Sequence, residues 1–275
     1  MDYLHEIFSL RGKTAVITGG GGVLGSSMAL ALARAGAQVV VISLHIASAL
    51  KVAEAIQAEG HTALALACDV TDIAALEAAY QRITQEFAAI DILINGAGGN
   101  HPKATTSTVQ SFFQLDPEAL EQVYRLNFMG TLLPCQIFGR SMVERGQGCI
   151  VNISSMAALR PVTNVLAYGA AKSAMTNFTQ WLAVHIAEHY SPRIRVNALA
   201  PGFFLTEQNR YLLTNASDGS FTPRAQAILA HTPAQRLGVP EDLISTLLWL
   251  VSPASSFVTG AVVPVDGGFS AFGGV

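Results

Sequence analysis

Short runs of Val and Ile, recurring between longer Ala- and Leu-rich stretches, constrain this chain more than any other feature. The runs at 14–18, 39–43, 62–67, 90–95, 149–154, 194–198 and 261–263 are too short for free-standing helices. Most lack the polar alternation of a strand with one wet face. They read as strands buried on both sides, the situation in a parallel sheet. The stretches at 24–35, 47–59, 73–87, 117–144, 166–189 and 240–252 are long enough to be the crossover helices such a sheet requires. The expected fold class is α/β, a doubly wound parallel sheet of about seven strands with helices on both faces. A chain of 275 residues fits one such domain, 1–275, without splitting.

Composition narrows the function classes. Hydrophobic residues make up 51% and charged residues 13%, with 16 Lys+Arg against 19 Asp+Glu and a formal charge of -3. Disorder needs low hydrophobicity, and a phosphate-coating surface needs a cationic excess, so neither fits and no nucleic-acid partner is expected. The charged fraction is about half the usual ~25%, which points to surface hidden by a large interior, by subunit contacts, or by both, and a homo-oligomer is expected. Cys68, Cys135 and Cys149 stand at irregular spacings that suit neither a disulfide framework nor a metal knuckle. They read as small buried residues in a reducing cytoplasm. The first residues lack a signal-peptide pattern, and no apolar run approaches the ~18 to 20 residues of a membrane span. The expectation is a soluble, cytoplasmic protein with no membrane partner.

Doubly wound sheets bind ligands outside the carboxyl ends of their strands. The first strand runs into Thr18, Gly19, Gly20, Gly21, Gly22, Val23, Leu24 and Gly25 and then a helix. There backbone N–H groups and the positive helix end can face a pyrophosphate, which makes the fold Rossmann-like. A glycine cluster alone is also an ordinary flexible turn; its place after the first strand favours a dinucleotide. At the end of the second strand, Ser43 stands where an acid would select NAD and an arginine NADP, so the cofactor is NAD or NADP. Asp69, followed by Val70, could accept from an adenine amino group, and Asp69 or Thr71 could equally cap the next helix. Asn95, Gly96, Ala97 and Gly98 end the fourth strand in small residues that let backbone approach a flat ligand.

Tyr168 and Lys172 share one face of a predicted helix at i, i+4 spacing. A neighbouring ammonium favours phenolate and is expected to lower the Tyr168 pKa from ~10, making it a usable acid or base. Ser155, just after the fifth strand, could polarise a carbonyl on the same rim. The ordered series resembles the short-chain dehydrogenase/reductase family over essentially the whole chain. It comprises the TGxxxGxG-like turn, Asp69, the NNAG-like run at Asn95, Asn127 with Gly130, Ser155, the YxxxK of Tyr168 and Lys172, and Pro201-Gly202 with Thr206. Two positions depart from the pattern: Val23 replaces a glycine, leaving Gly22 to approach the phosphates, and Gly96 replaces an asparagine. The resemblance implies that Tyr168 protonates the ketone oxygen, Ser155 hydrogen-bonds it, and Lys172 holds the nicotinamide ribose. It also implies that Asn127 holds a relay water, while Pro201, Gly202, Phe204 and Thr206 enclose the nicotinamide.

Two segments interrupt the strand-helix rhythm: a substrate loop near 98–115 and a lid-like stretch near 203–235. Asn100, His101, Gln208 and Asn209 offer hydrogen bonds to hydroxyls, Arg160 and Arg210 could pair with a carboxylate, and Phe203 lies among them. Such residues are also normal on loops, and His101 has no partner at metal-ligand spacing, so no metal is expected. A polyhydroxylated, anionic carbonyl fits this polarity better than a steroid or acyl chain. NGAGGNHP, APGFFLTEQNR and VVPVDGGF resemble the D-mannonate oxidoreductase (fructuronate reductase) branch, which implies reduction of D-fructuronate to D-mannonate in a sugar-acid pathway. The alternatives are another polyol or keto acid, as for a gluconate 5-dehydrogenase, a 3-oxoacyl thioester, or a non-catalytic dinucleotide scaffold. The predicted helices around 127–144 and 166–189 could pack against symmetry mates, as in the tetramers common in the family.

Overall fold

A computed structural model describes residues 3–206, 210–215 and 218–274. Its strands are β1 (Thr14–Thr18), β2 (Gln38–Ser43), β3 (Ala63–Ala67), β4 (Ile92–Asn95), β5 (Gly148–Ile153), β6 (Ile194–Pro201) and β7 (Val262–Val265). They form one sheet in the order β3-β2-β1-β4-β5-β6-β7, with every neighbouring pair parallel. This is the doubly wound Rossmann-like α/β fold the sequence leads one to expect.

Period-two alternation along the strands feeds two cores. Ala15 and Ile17 of β1, Val39 and Val41 of β2, Ile92 and Ile94 of β4, and Cys149 and Val151 of β5 point to one face. Packed there are α2 (Val23–Arg34), α3 (Ile46–Ala58) and α10 (Ile244–Val251). Val16, Val40, Ile42, Leu93 and Ile150 point to the other face, covered by α4 (Ile73–Glu86), α6 (Gly130–Arg145) and α7 (Leu166–His189). Both faces are dry over the inner strands, which is why these read as unbroken apolar runs, while the edge strands β3 and β7 are half-buried. The remaining helices are α1 (Tyr3–Phe8), α5 (Pro117–Tyr124), α8 (Arg210–Leu213) and α9 (Pro223–Ala230), the last two in the lid-like stretch.

One expected helix is remodelled. The stretch 117–144 forms α5, a π-helical turn over Arg125–Met129, and then α6. Pro134 has no N–H to give Gly130, so the ordinary ladder is interrupted within the first turn of α6. The widened turn carries Asn127, fully buried. The 240–252 helix likewise opens as a tight turn, Pro240–Leu243, before α10.

Candidate active site

Strand order reverses between β1 and β4, and the crevice of a doubly wound sheet opens at that reversal. Gly19 adopts φ +67, and a Cβ there would lie 2.7 Å from the backbone of Gly96 and Ala97. Only glycine lets the two strand ends approach so closely. Thr18 reinforces the junction: its Oγ1 accepts from the N–H of Gly96 (3.2 Å) and Ala97 (3.3 Å). Ser43 is turned inward, its Oγ accepting the Gly21 N–H at 2.9 Å, so it braces the glycine turn. α2 opens after Gly22 without a capping side chain, and Gly25 sits on its buried side.

Asp69 forms a local turn, its Oδ1 accepting from both the N–H and the hydroxyl of Thr71 at 2.8 Å. Capping of α4 falls instead to Asp72, which accepts from Ala74 and Ala75. Val70 is buried, packed where Gly130 leaves no side chain. The Asn95 side chain points into the sheet interior, donating to Asn152 Oδ1 (2.9 Å) and Cys135 Sγ (3.1 Å).

A cleft of about 300 Å³ lies at the strand ends and gathers Val23, Leu24, Gly96, Asn127, Ser155, Tyr168, Lys172, Pro201, Gly202, Phe204 and Thr206. Residues scattered from 23 to 206 thus meet in one place. Gly98, Gly99, Ile153 and Ser154 also line it. The NGAG run and the 98–115 loop point to Gly98 and Gly99; Ile153 and Ser154 have no site role expected from sequence, and the serine pair is the available signal. A Cβ at Gly98 would fall 2.6 Å from Asn127 Oδ1 and 3.3 Å from Lys172 Nζ, so its lack of a side chain keeps the cleft open.

Asn127 clamps this wall. Its Nδ2 donates to the carbonyls of Gly99 (2.7 Å) and Val123 (2.8 Å), and its Oδ1 accepts the Gly99 N–H at 3.2 Å. The side chain is tied to the chain leaving β4. Ser155 opens a short turn, its Oγ accepting from Ala157 N–H at 3.1 Å, and it lines the cleft together with Tyr168. Lys172 is 4% exposed and donates to the Ile153 carbonyl at 2.7 Å, its Nζ 5.6 Å from the centre of the Tyr168 ring.

The electrostatics correct one expectation. Burial holds the Tyr168 phenol above its ordinary pKa, and the opposing influence comes from the Ser155 hydrogen bond rather than from the Lys172 ammonium. Burial also brings Lys172 itself down to about 8. Desolvation of both groups therefore outweighs the ammonium-to-phenol coupling that the i, i+4 spacing leads one to expect.

The cleft does not gather the expected substrate residues. Asn100 donates to Thr105 Oγ1 (2.9 Å), His101 Nδ1 accepts the Lys103 N–H (3.2 Å), and Arg160 donates to the Phe272 carbonyl (2.8 Å). Phe203 packs edge-on against Phe269, and Arg210 is exposed at the start of α8. Gln208 and Asn209 lie outside the described residues.

Comparison with known proteins agrees with this geometry. A family model described as short chain dehydrogenase matches residues 13–216. An uncharacterised oxidoreductase of Bacillus subtilis, UxuB, is 50% identical over 281 aligned positions covering 99% of both chains. A solved structure from Haemophilus influenzae, provisionally named a D-mannonate oxidoreductase and holding NAD, superposes with a TM-score of 0.92. It is 42% identical, with 99% of this chain and 100% of that one covered. A gluconate 5-dehydrogenase from Burkholderia cenocepacia, in complex with NADP and tartrate, gives a TM-score of 0.87 at 32% identity, covering 98% of this chain and 99% of that one.

Proposed function

The chain belongs to the short-chain dehydrogenase family, an oxidoreductase family using NAD or NADP, and from that premise we propose that it interconverts a keto sugar acid and its alcohol. D-fructuronate and D-mannonate are the proposed pair. The observation that carries the chemistry is the meeting of Ser155, Tyr168 and buried Lys172 in one cleft at the strand ends. The likeness to the Haemophilus protein supports the substrate.

The site fits the cofactor on its own terms. Glycine backbone at residues 19 and 98 leaves open the crevice where the strand order reverses, and Val23, Leu24, Pro201 and Gly202 provide apolar and small walls for a flat ring. When bound, the reduced cofactor supplies the hydride. Ser155 donates a hydrogen bond to the substrate's carbonyl oxygen, and Tyr168, whose burial favours the neutral phenol, delivers the proton to that oxygen. Lys172 holds ribose hydroxyls beside the phenol, and Asn127 keeps Gly99 and the wall around it in place.

A polyol or gluconate 5-dehydrogenase reading is the second choice, favoured by the Burkholderia likeness. In the proposed assembly, a homotetramer in the cytoplasm, α6 and α7 face a symmetry mate. A groove of about 720 Å³ runs between them, with Trp181, Val184 and Tyr190 of this region exposed. The test is a matrix of D-fructuronate, 5-keto-D-gluconate, simple ketoses and 3-oxoacyl thioesters against NADH and NADPH. Fructuronate should give the highest kcat/KM, and a thioester preference would overturn the substrate assignment.

A further inference from the structure

We propose that residues 266–274 form a clasp that sets the substrate side of the cleft, with Arg160 as the positioning residue that fastens it. The inference rests on reading the cleft as the active site. After β7 the chain folds back on Asp266, whose carboxylate accepts the N–H groups of Gly268 (2.9 Å) and Ser270 (2.8 Å). It then packs against the lid-like stretch. The Gly267 carbonyl accepts the Ala234 N–H at 3.0 Å. The Phe269 ring meets Phe203 edge-on at 5.1 Å and His231 at 6.4 Å, and Phe272 meets His231 at 6.3 Å. Phe203 immediately precedes Phe204, which lines the cleft.

The same tail reaches the opposite wall. Arg160 Nη1 donates to the Phe272 carbonyl at 2.8 Å, and Arg160 lies on the loop joining Ser155 to the helix of Tyr168. Further along that loop, Asn164 takes a left-handed conformation (φ 74) and binds the substrate loop. Its carbonyl and Oδ1 accept from the N–H and hydroxyl of Thr106, both at 3.1 Å. Three segments that begin in the cleft, at Gly98, Ser155 and Phe204, are therefore joined outside it into one belt, and Arg160 closes the belt to the tail. With its Nη1 engaged on the Phe272 carbonyl, Arg160 ties the tail to this wall of the cleft. Its proposed work is to fix the spacing of the walls.

The experiment compares the wild type with Arg160→Ala, Arg160→Lys and a chain ending after Ser270. It reads kcat, KM for the keto substrate, the dissociation constant for reduced cofactor, and deuterium uptake over residues 223–232. Arg160→Ala should raise substrate KM about fivefold, as fits loss of one charge-assisted hydrogen bond at an exposed position, and truncation should raise it about tenfold. In both, kcat and cofactor affinity should stay within about twofold of wild type while uptake accelerates, and Arg160→Lys should restore KM. Unchanged KM overturns the clasp, whatever the uptake does, and so does a parallel fall of kcat and cofactor affinity. A wild type that ignores sugar acids but reduces another carbonyl overturns the substrate assignment alone, because the same comparison then runs on that carbonyl.

Discussion

Lys172 shows at the residue scale how burial reshapes a catalytic group. Its folded pKa, about 8, lies below the 10.5 of the free side chain, so between those values the unfolded chain binds the extra proton. Stability contributed by this group therefore rises as pH climbs from 8 towards 10.5, and the penalty for burying the ammonium is fully present below 8. Urea unfolding at pH 7 and 9.5 should show wild type gaining about 2 kcal/mol relative to Lys172→Met over that interval. Equal pH dependence in the two proteins would refute the buried-ammonium account. Asn127 is a second case. Asn127→Ala strips partners from both the N–H and carbonyl of Gly99, and should lower unfolding free energy by about 2 kcal/mol in the same assay. The residue types of the site were readable because Tyr168, Lys172 and Ser155 sit at characteristic spacings. The pKa direction of Tyr168 was not, since spacing along a helix carries no information about how much solvent the fold removes. The polar loop residues are hard to read for a related reason. Asn100, His101 and Arg160 satisfy nearby groups, and a sequence does not distinguish a hydrogen bond made locally from one kept for a ligand.

Among the elements, all seven strands could be placed from the apolar runs; the five inner ones are buried on both faces, and the half-exposed edge strands β3 and β7 keep the same Ala, Leu and Val character. Helix 117–144 was the exception. Its polar and apolar residues keep a helical period, but one turn is widened over Arg125–Met129, where Asn127 is tied to the chain after β4, and Pro134 interrupts the ladder just beyond it. That tie joins residues that are near only in the fold. The turn after β1 is the element on which cofactor binding depends. Gly19→Ala would place a side chain against Gly96 and Ala97 in a left-handed conformation, which costs about 1–2 kcal/mol before any contact is counted. Fluorescence titration of that variant with NADH and NADPH should show at least about a tenfold weaker dissociation constant, a factor worth about 1.4 kcal/mol. Wild-type affinity would mean that the pyrophosphate does not rest on this turn.

For the whole molecule, the sheet brings distant residues to one rim, and the outer helices leave an apolar face. No helix among the described residues is long and apolar enough to cross a membrane. In the proposed assembly the exposed Trp181 beside the α6–α7 groove packs against a second copy of the chain. Light scattering should give the mass of four chains for wild type and a smaller species for Trp181→Glu; a monomeric wild type would remove the assembly. The central claim, that this rim is a nicotinamide-dependent active site with Tyr168 as its acid, is tested most directly by measuring turnover and cofactor binding of Tyr168→Phe side by side. Turnover should fall by at least about a thousandfold, as expected for loss of the proton donor, with the cofactor dissociation constant within about threefold of wild type. Turnover close to wild type would contradict it.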